Sequence, residues 1–365
     1  MKITFLQSSL WLSGGARAHI EFGNRLAQRG HRTAIVIPRG AIDPEMAAAV
    51  GPGLEIIQAG YPLHKPAVRR TTNLDRIRLA LAMFRAVPPG DILIATHTPT
   101  TLVSLMAGRF RNGGLPVWFY MDYPGMFAGR RAEGWLLRNA MRWHAGAMVI
   151  SRHSAEELRL FAGGDVRFVG LALNDYEVFT AARRVNVVRD GGEKRVMYLG
   201  DFRPRKGLAD FLAAAERVHK LRGGIRLVLV LKEAGELETP VPHDVVMRPD
   251  TPALAELYAG SDLFVSSSWH EGFGLPPLEA MACGAPVVLT DSGGVRDFAR
   301  DGENCLVVPP KSTDALAEAM RRVLDEPGLA ERFRTAGPPT AAEFTWEKAV
   351  DRLEEALVEF KSKKG

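Results

Sequence analysis

The stretch 261–290 restricts the folds open to this chain more than any other. Residues 262–266 form a short apolar run, residues 286–290 form another, and WHEGFGLPPLEAMACG lies between them at 269–284. Both runs are too short for core helices and read as buried strands. Pro276 and Pro277 fit the first turn of a helix, where an amide has no intrahelical partner to lose. Leu278 to Ala282 continue that helix, and Gly284 ends it. Strand, glycine loop, helix and strand in this order make one unit of a parallel α/β sheet. They also make an anion site, because free amides and the positive end of the helix dipole converge on the loop. Two carboxylates bracket that site: Glu271 in the loop, and Glu279 placed in the first helical turn. Taken singly, each reads as an exposed loop residue or a helix cap. Together, amides for a phosphate and carboxylates for hydroxyls suit a sugar joined to a nucleotide diphosphate.

The same alternation runs through the chain. Strands are expected at 2–7, 33–38, 54–58, 91–95, 117–120, 147–151 and 166–170, with helices at 75–85, 99–109 and 132–143 and from Ser154. Ser13-Gly14-Gly15-Ala16-Arg17 makes a glycine turn leading into a helix ending near Gln28, and glycines needed only for positive φ are the alternative to a ligand role there. The spacing is not G-x-G-x-x-G, which disfavours a dinucleotide dehydrogenase. Residues 61–70 form a proline-punctuated basic loop. Residues 183–194, with Asp190-Gly191-Gly192, read as a linker. Beyond them come strands at 195–199, 227–231 and 306–308, and helices at 207–221 and 252–259. An amphipathic helix at 345–360 carries Ala349, Leu353, Ala356, Leu357 and Phe360 on one stripe. Ligands of open α/β sheets bind beyond the carboxyl ends of strands. His97 and Asp122 are therefore candidates for acceptor or sugar contacts, with helix capping or a loop hydrogen bond as the alternative for each.

A chain of 365 residues, 46% hydrophobic and 24% charged, fits two soluble globular domains. No apolar run approaches the roughly 18 residues that span a membrane. The first strand carries no basic leader, and Cys283 and Cys305 form neither a disulfide framework nor a metal-ligand spacing. A cytoplasmic protein is expected, with the inner membrane face as a candidate place of work. Residues 1–180 carry 21 Lys and Arg against 13 Asp and Glu, and the remainder carries 26 against 29. This asymmetry points the first half at something anionic, with a solvated basic face as the alternative. No helix-turn-helix, zinc or aromatic RNA-binding motif supports nucleic acid. Arg130, Arg131, Arg138 and Arg142 beside Trp135, Leu136, Leu137 and Trp143 mark a candidate for peripheral contact with anionic lipid. A helix packed on its own sheet is the alternative there.

The string at 269–284 resembles the Glu-x7-Glu motif of retaining GT-B glycosyltransferases of the family 4 type. Asp291-Ser292-Gly293-Gly294, Asp301-Gly302-Glu303-Asn304, Phe344-Thr345-Trp346-Glu347 and the loop from Leu199 to Gly207 resemble further motifs of that family, in order. The resemblance implies an α/β GT-B fold, with two Rossmann-like domains facing each other across a cleft. Residues 1–180 would form the acceptor side, 181–345 the nucleotide-sugar side, and 346–365 a helix crossing back. It implies transfer with retention from a nucleotide sugar to a hydroxyl of a glycan, lipid-linked or small-molecule acceptor. No Asp-x-Asp pair in the expected sheet context suggests a metal, the basic loop makes one unnecessary, and no cofactor is expected. Glu271 would hold the donor sugar's hydroxyls and Glu279 the ribose diol. The amides of Phe273, Gly274 and Leu275 would point at sugar and phosphate, and Gly14 and Gly15 would lie near the donor phosphate. Lys206 would neutralise the departing diphosphate together with an arginine. Asp201 fills that arginine's usual place, so Arg203 or Arg205 must substitute. Met121, a sugar-contact candidate, stands where the family often has a histidine on the sugar's 6-hydroxyl, so a 6-deoxy sugar or pentose donor is expected, with His97 swinging in to serve a hexose as the alternative. A non-catalytic nucleotide-sugar-binding partner subunit is the alternative, and a Rossmann oxidoreductase a more distant one.

Overall fold

A computed structural model describes residues 1–64, 72–127, 129–173, 175–186 and 192–363. Residues 65–70 of the expected basic loop at 61–70 and residues 187–191 of the linker at 183–194, including Asp190 and Gly191, lie outside the described residues. The chain divides into two compact units, Met1–Leu171 with Glu347–Gly365, and Ala172–Trp346.

The first unit runs β1 (Lys2–Leu6), α1 (Gly14–Gln28), β2 (Arg32–Arg39), α2 (Pro44–Ala48), β3 (Leu54–Pro62), α3 (Asn73–Ala86), β4 (Ile92–Ala95), α4 (Thr98–Phe110), β5 (Leu115–Tyr120), α5 (Arg131–Asn139), β6 (Ala147–Val149), α6 (Arg152–Ala162) and β7 (Val166–Phe168). Its sheet has the order β3-β2-β1-β4-β5-β6-β7, parallel throughout. A parallel sheet covered on both faces needs uninterrupted apolar strands, and all four residues of β4 are buried. Ser13 caps α1, and Thr72 with Asp75 forms a capping box on α3. The helix expected to open at Ser154 begins earlier: Ser151 is its cap, accepting from the Ser154 amide at 3.1 Å. The short α2 has too few residues for a periodic signal and was not expected.

The second unit runs β8 (Lys194–Gly200), α7 (Leu208–Arg222), β9 (Ile225–Leu231), β10 (His243–Met247), α8 (Thr251–Ala259), β11 (Leu263–Ser266), α9 (Leu275–Ala282), β12 (Val287–Thr290), β13 (Leu306–Val308), α10 (Thr313–Asp325) and α11 (Leu329–Ala342). Its sheet, also parallel, has the order β10-β9-β8-β11-β12-β13. The half-exposed edge strand β10 escapes a reading that looks for apolar runs. Val196, Leu229, Leu263 and Val265 from the strands meet Phe211, Met320 and Phe333 from the helices in one core. Residues 172–180, expected in the first domain, belong here. The Tyr176 hydroxyl donates to the Ala341 carbonyl at 2.8 Å, and Phe179 packs edge-on against Tyr258.

The final helix, α12 (Trp346–Ser362), lies with the first unit. Ala349, Leu353, Ala356, Leu357 and Phe360 are buried. At its rim Asp351 meets Arg29 at 2.7 Å, Glu354 meets the His31 Nε2 at 2.6 Å, and Lys361 meets Asp91 at 2.8 Å.

Candidate active site

In the second unit the strand order reverses between β8 and β11, so the chain leaves these neighbours in opposite directions. The gap between their carboxyl-end loops is where an open α/β sheet receives a ligand. The two loops are fastened together. The Trp269 amide donates to the Arg205 carbonyl at 2.7 Å and the Ser267 hydroxyl to that of Gly207 at 2.8 Å, while the Tyr198 hydroxyl on β8 holds the first loop by donating to the Lys206 carbonyl at 3.1 Å. Gly207 makes this approach feasible: its φ is +67°, and a β-carbon would lie 2.0 Å from the Ser267 carbonyl oxygen.

This fastening brings the Lys206 Nζ to 2.6 Å from the Glu271 Oε1. The Arg205 Nη1 lies 3.8 Å from the other carboxylate oxygen and donates to the His270 carbonyl at 3.2 Å. The Glu271 backbone is clamped by the loop after β12, donating to Ser292 at 2.8 Å and accepting from Gly294 at 3.1 Å. Burial alone would raise the Glu271 pKa. The Lys206 ammonium, the Arg205 guanidinium and a hydrogen bond from Ser268 outweigh it and hold the carboxyl below the usual glutamate range.

Of the two candidate arginines, Arg205 faces Glu271. Arg203 is drawn onto Asp201 through contacts of 2.8 and 2.5 Å, and its side chain is half exposed. Burial pushes the Asp201 carboxyl up, but the hydrogen bonds from Arg203 win and hold it low. Lys232, directly after β9, was not singled out from the sequence. Much of its side chain is exposed, yet desolvation and repulsion from Lys206 pull its ammonium below the usual lysine range. Three cations therefore share the end of the sheet with Glu271.

Gly274 caps α9 at φ +96°, and a β-carbon there would lie 2.7 Å from the Val295 Cγ1. Leu275, Pro276 and Pro277 form the first turn, as the prolines require. Phe273 turns its ring into the core against Phe298 and Phe344, which leaves only its backbone for a ligand. Glu279 is not in the first turn, where α9 has no acidic residue; it lies a turn deeper. It accepts from the Tyr258 hydroxyl at 3.1 Å. Burial, aided by the Asp175 carboxylate and opposed by the Tyr258 bond, pushes its carboxyl up to about 7.

In the first unit the order reverses between β1 and β4. Gly14 and Gly15 are the first two residues of α1, and neither has positive φ. The positive-φ alternative fails because both glycines lie inside the first helical turn. Ser13, in extended conformation, precedes them and accepts from the Ala16 amide at 3.2 Å; the first amides of a helix have no intrahelical partner. A β-carbon on Gly15 would touch the Met121 Cε at 3.6 Å. The His97 Nδ1 lies 2.5 Å from one Asp122 oxygen, and the other oxygen accepts from the Thr98 amide at 2.8 Å. Asp122 thus caps α4 and orients His97 at once. His19, unnoticed in the sequence, is buried between Phe5 and Phe119 with neither ring nitrogen hydrogen-bonded. Burial, with repulsion from His97, pulls its pKa down to about 3, so it is neutral. Among the described residues of either unit taken by itself, no three His, Cys, Asp or Glu side chains converge at metal-binding range.

Residues 180–339 match the family model described as glycosyl transferases, group 1. A D-inositol 3-phosphate glycosyltransferase of Segniliparus rotundus is 31% identical over 186 residues, covering 47% of this chain and 41% of the relative. One from Thermomonospora curvata is 28% identical over 242 residues, covering 57% and 56%. The chain thus spans about half the length of these curated relatives. The whole chain follows the fold of sucrose-phosphate synthase from Thermosynechococcus elongatus, with a TM-score of 0.82, 20% identity and 99% of each chain covered. Anabaena HepE, solved with UDP and glucose, gives a TM-score of 0.78 at 19% identity, covering 98% of this chain and 99% of that one. The fold is therefore the GT-B type, built of two Rossmann-like domains.

Proposed function

We propose that the chain is a glycosyltransferase that moves a sugar from a nucleotide-diphosphate sugar to a hydroxyl acceptor, with retention and without a metal. The observation that carries this reading is the Lys206–Glu271 contact of 2.6 Å at the point where the strand order reverses. Breaking the bond between the sugar and the diphosphate leaves an electron pair on a phosphate oxygen. Lys206, Arg205 and the first-turn amides of α9 are fixed groups able to receive that charge where it develops. Glu271, kept ionised, accepts from the donor sugar's hydroxyls. Glu279 accepts from the ribose diol. As the acceptor oxygen bonds to the anomeric carbon, its proton passes to the departing phosphate, the base that the reaction itself generates. No protein nucleophile is required in this scheme.

Asp201 takes Arg203 out of this work, so Arg205 is the arginine assigned to the diphosphate. The first unit would bind the acceptor, with His97, Asp122 and the Gly14 and Gly15 amides beyond its own strand ends. The names of the relatives suggest UDP-sugars as first donors to try and a phosphorylated polyol as first acceptor. Met121 has no donor group for a 6-hydroxyl, which favours a 6-deoxy sugar or pentose. The buried free cysteines fit a cytoplasmic setting.

Turnover of UDP-, GDP-, ADP- and dTDP-sugars by the purified chain tests the reading. Lys206→Ala is expected to lower the rate by orders of magnitude, since losing one preorganised contact costs about 3 kcal/mol. EDTA is expected to leave activity intact. Tight donor binding with no turnover of any donor would favour the alternative, a nucleotide-sugar-binding partner subunit.

A further inference from the structure

In the first unit α3, α4 and α5 lie side by side. The residues facing out from them are not those of an ordinary solvated layer. Leu74, Ile77 and Leu81 form an exposed stripe along α3, and Leu102, Met106 and Phe110 form a second along α4. Trp135 continues the surface on α5; Phe110 is 70% exposed and Trp135 52%. Scattered exposed apolar residues are normal, but two helical stripes on adjacent helices form a patch.

The same segments, 73–86, 98–111 and 130–143, contain nine arginines and two acidic residues. Neither acid offsets the basic surface freely. Asp75 is buried as part of the α3 capping box, and Glu133 is paired with Arg76 at 2.9 Å. Two cavities open among these arginines. One of about 450 Å³ is lined by Tyr61, Leu81, Arg78 and Arg85. The other, of about 270 Å³, is lined by Phe127, Leu137, Phe161, Arg130, Arg131 and Arg138. Each joins guanidinium groups to an apolar wall.

We propose that the α3–α4–α5 face docks the protein onto an anionic phospholipid bilayer, its arginines on headgroup phosphates and its apolar stripes in the interface. Charge decides the occupant. A second copy of this face would set arginines against arginines. A nucleic acid backbone would leave Ile77, Leu102, Met106 and Phe110 without an apolar partner. An anionic bilayer satisfies both kinds of residue. The surface extends well beyond the basic α5 segment that the sequence marks, because α3 and α4 supply most of its apolar residues.

The test is flotation of the full chain with phosphatidylcholine vesicles, with and without phosphatidylglycerol, at low and high salt. Binding is expected only with phosphatidylglycerol, and weaker at high salt. Reversing Arg85→Glu and Arg138→Glu together is expected to weaken it at least tenfold, given about fivefold per basic residue near the surface. Ile77→Ser with Phe110→Ser is expected to weaken it at unchanged melting temperature, since both side chains are exposed. A blue-shifted Trp135 emission on binding, absent in Trp135→Phe, would place α5 in the interface. Equal binding to neutral vesicles, indifference to these substitutions, or self-association abolished by Phe110→Ser would each overturn the proposal. The readout involves no sugar transfer, so it stands or falls apart from the proposed activity.

Discussion

Glu279 holds an acidic proton to about pH 7 because it is buried beside Tyr258 and Asp175. Its ordinary value is 4.5, so between those two pH values the native chain binds a proton that the unfolded chain has released. Stability contributed by this group is therefore present in full below pH 4.5 and is lost as pH rises through 7. Glu279→Gln carries no such proton. Relative to the parent, it should gain stability from pH 5 to pH 8 by an amount on the order of 3 kcal/mol. Denaturant unfolding at the two pH values checks this; an equal difference at both would show that Glu279 is ionised throughout. In the proposed reaction the ionised form accepts the ribose hydroxyls. Nucleotide affinity should then fall below pH 7, a trend that calorimetric titration would show and that Glu279→Gln should abolish.

Two loops make the candidate site, and their sequences disclosed part of it. Strand, glycine loop and proline-started helix are local signals, so α9 and the place of Glu271 were legible. Lys206 was legible from its loop. Which neighbouring arginine turns inward was not, because that depends on the tight turn at Pro204–Lys206 and on Asp201 capturing Arg203. Lys232 was illegible for a different reason: its neighbour Lys206 comes from another strand, and only sheet order joins them. For Gly14 and Gly15 only the positive-φ alternative fails, because a glycine pair can equally well open a helix. Gly207 offers a test of the fastening. Gly207→Ala combines a disfavoured φ with a β-carbon 2.0 Å from a backbone carbonyl, so the Ser267 segment must move. Gly328→Ala, at a φ of +80° in the same left-handed region with nothing within 4 Å, isolates the backbone strain. Gly328→Ala should cost about 1 kcal/mol and leave turnover intact. Gly207→Ala should cost more and lower turnover at least tenfold, by separating Lys206 from Glu271. Equal turnover in the two variants would sink the fastening argument.

At the scale of the molecule, the chain completes its first unit with its last helix. The strands of that unit are all made by Leu171, yet α12 supplies Leu353, Leu357 and Phe360, all fully buried, to it. Truncating such side chains should destabilise the first unit while the second keeps its own core. Leu357→Ala and Phe360→Ala each remove a large buried group, at an expected cost of about 2–5 kcal/mol. Scanning calorimetry with and without UDP separates the units, because a ligand held by the second should raise only that unit's transition. The substitutions should lower the transition that UDP does not move and leave the other in place. UDP affinity should be unchanged. If both transitions fell together, α12 would have to support the second unit as well, and the assignment of its stripe to the first core alone would be wrong.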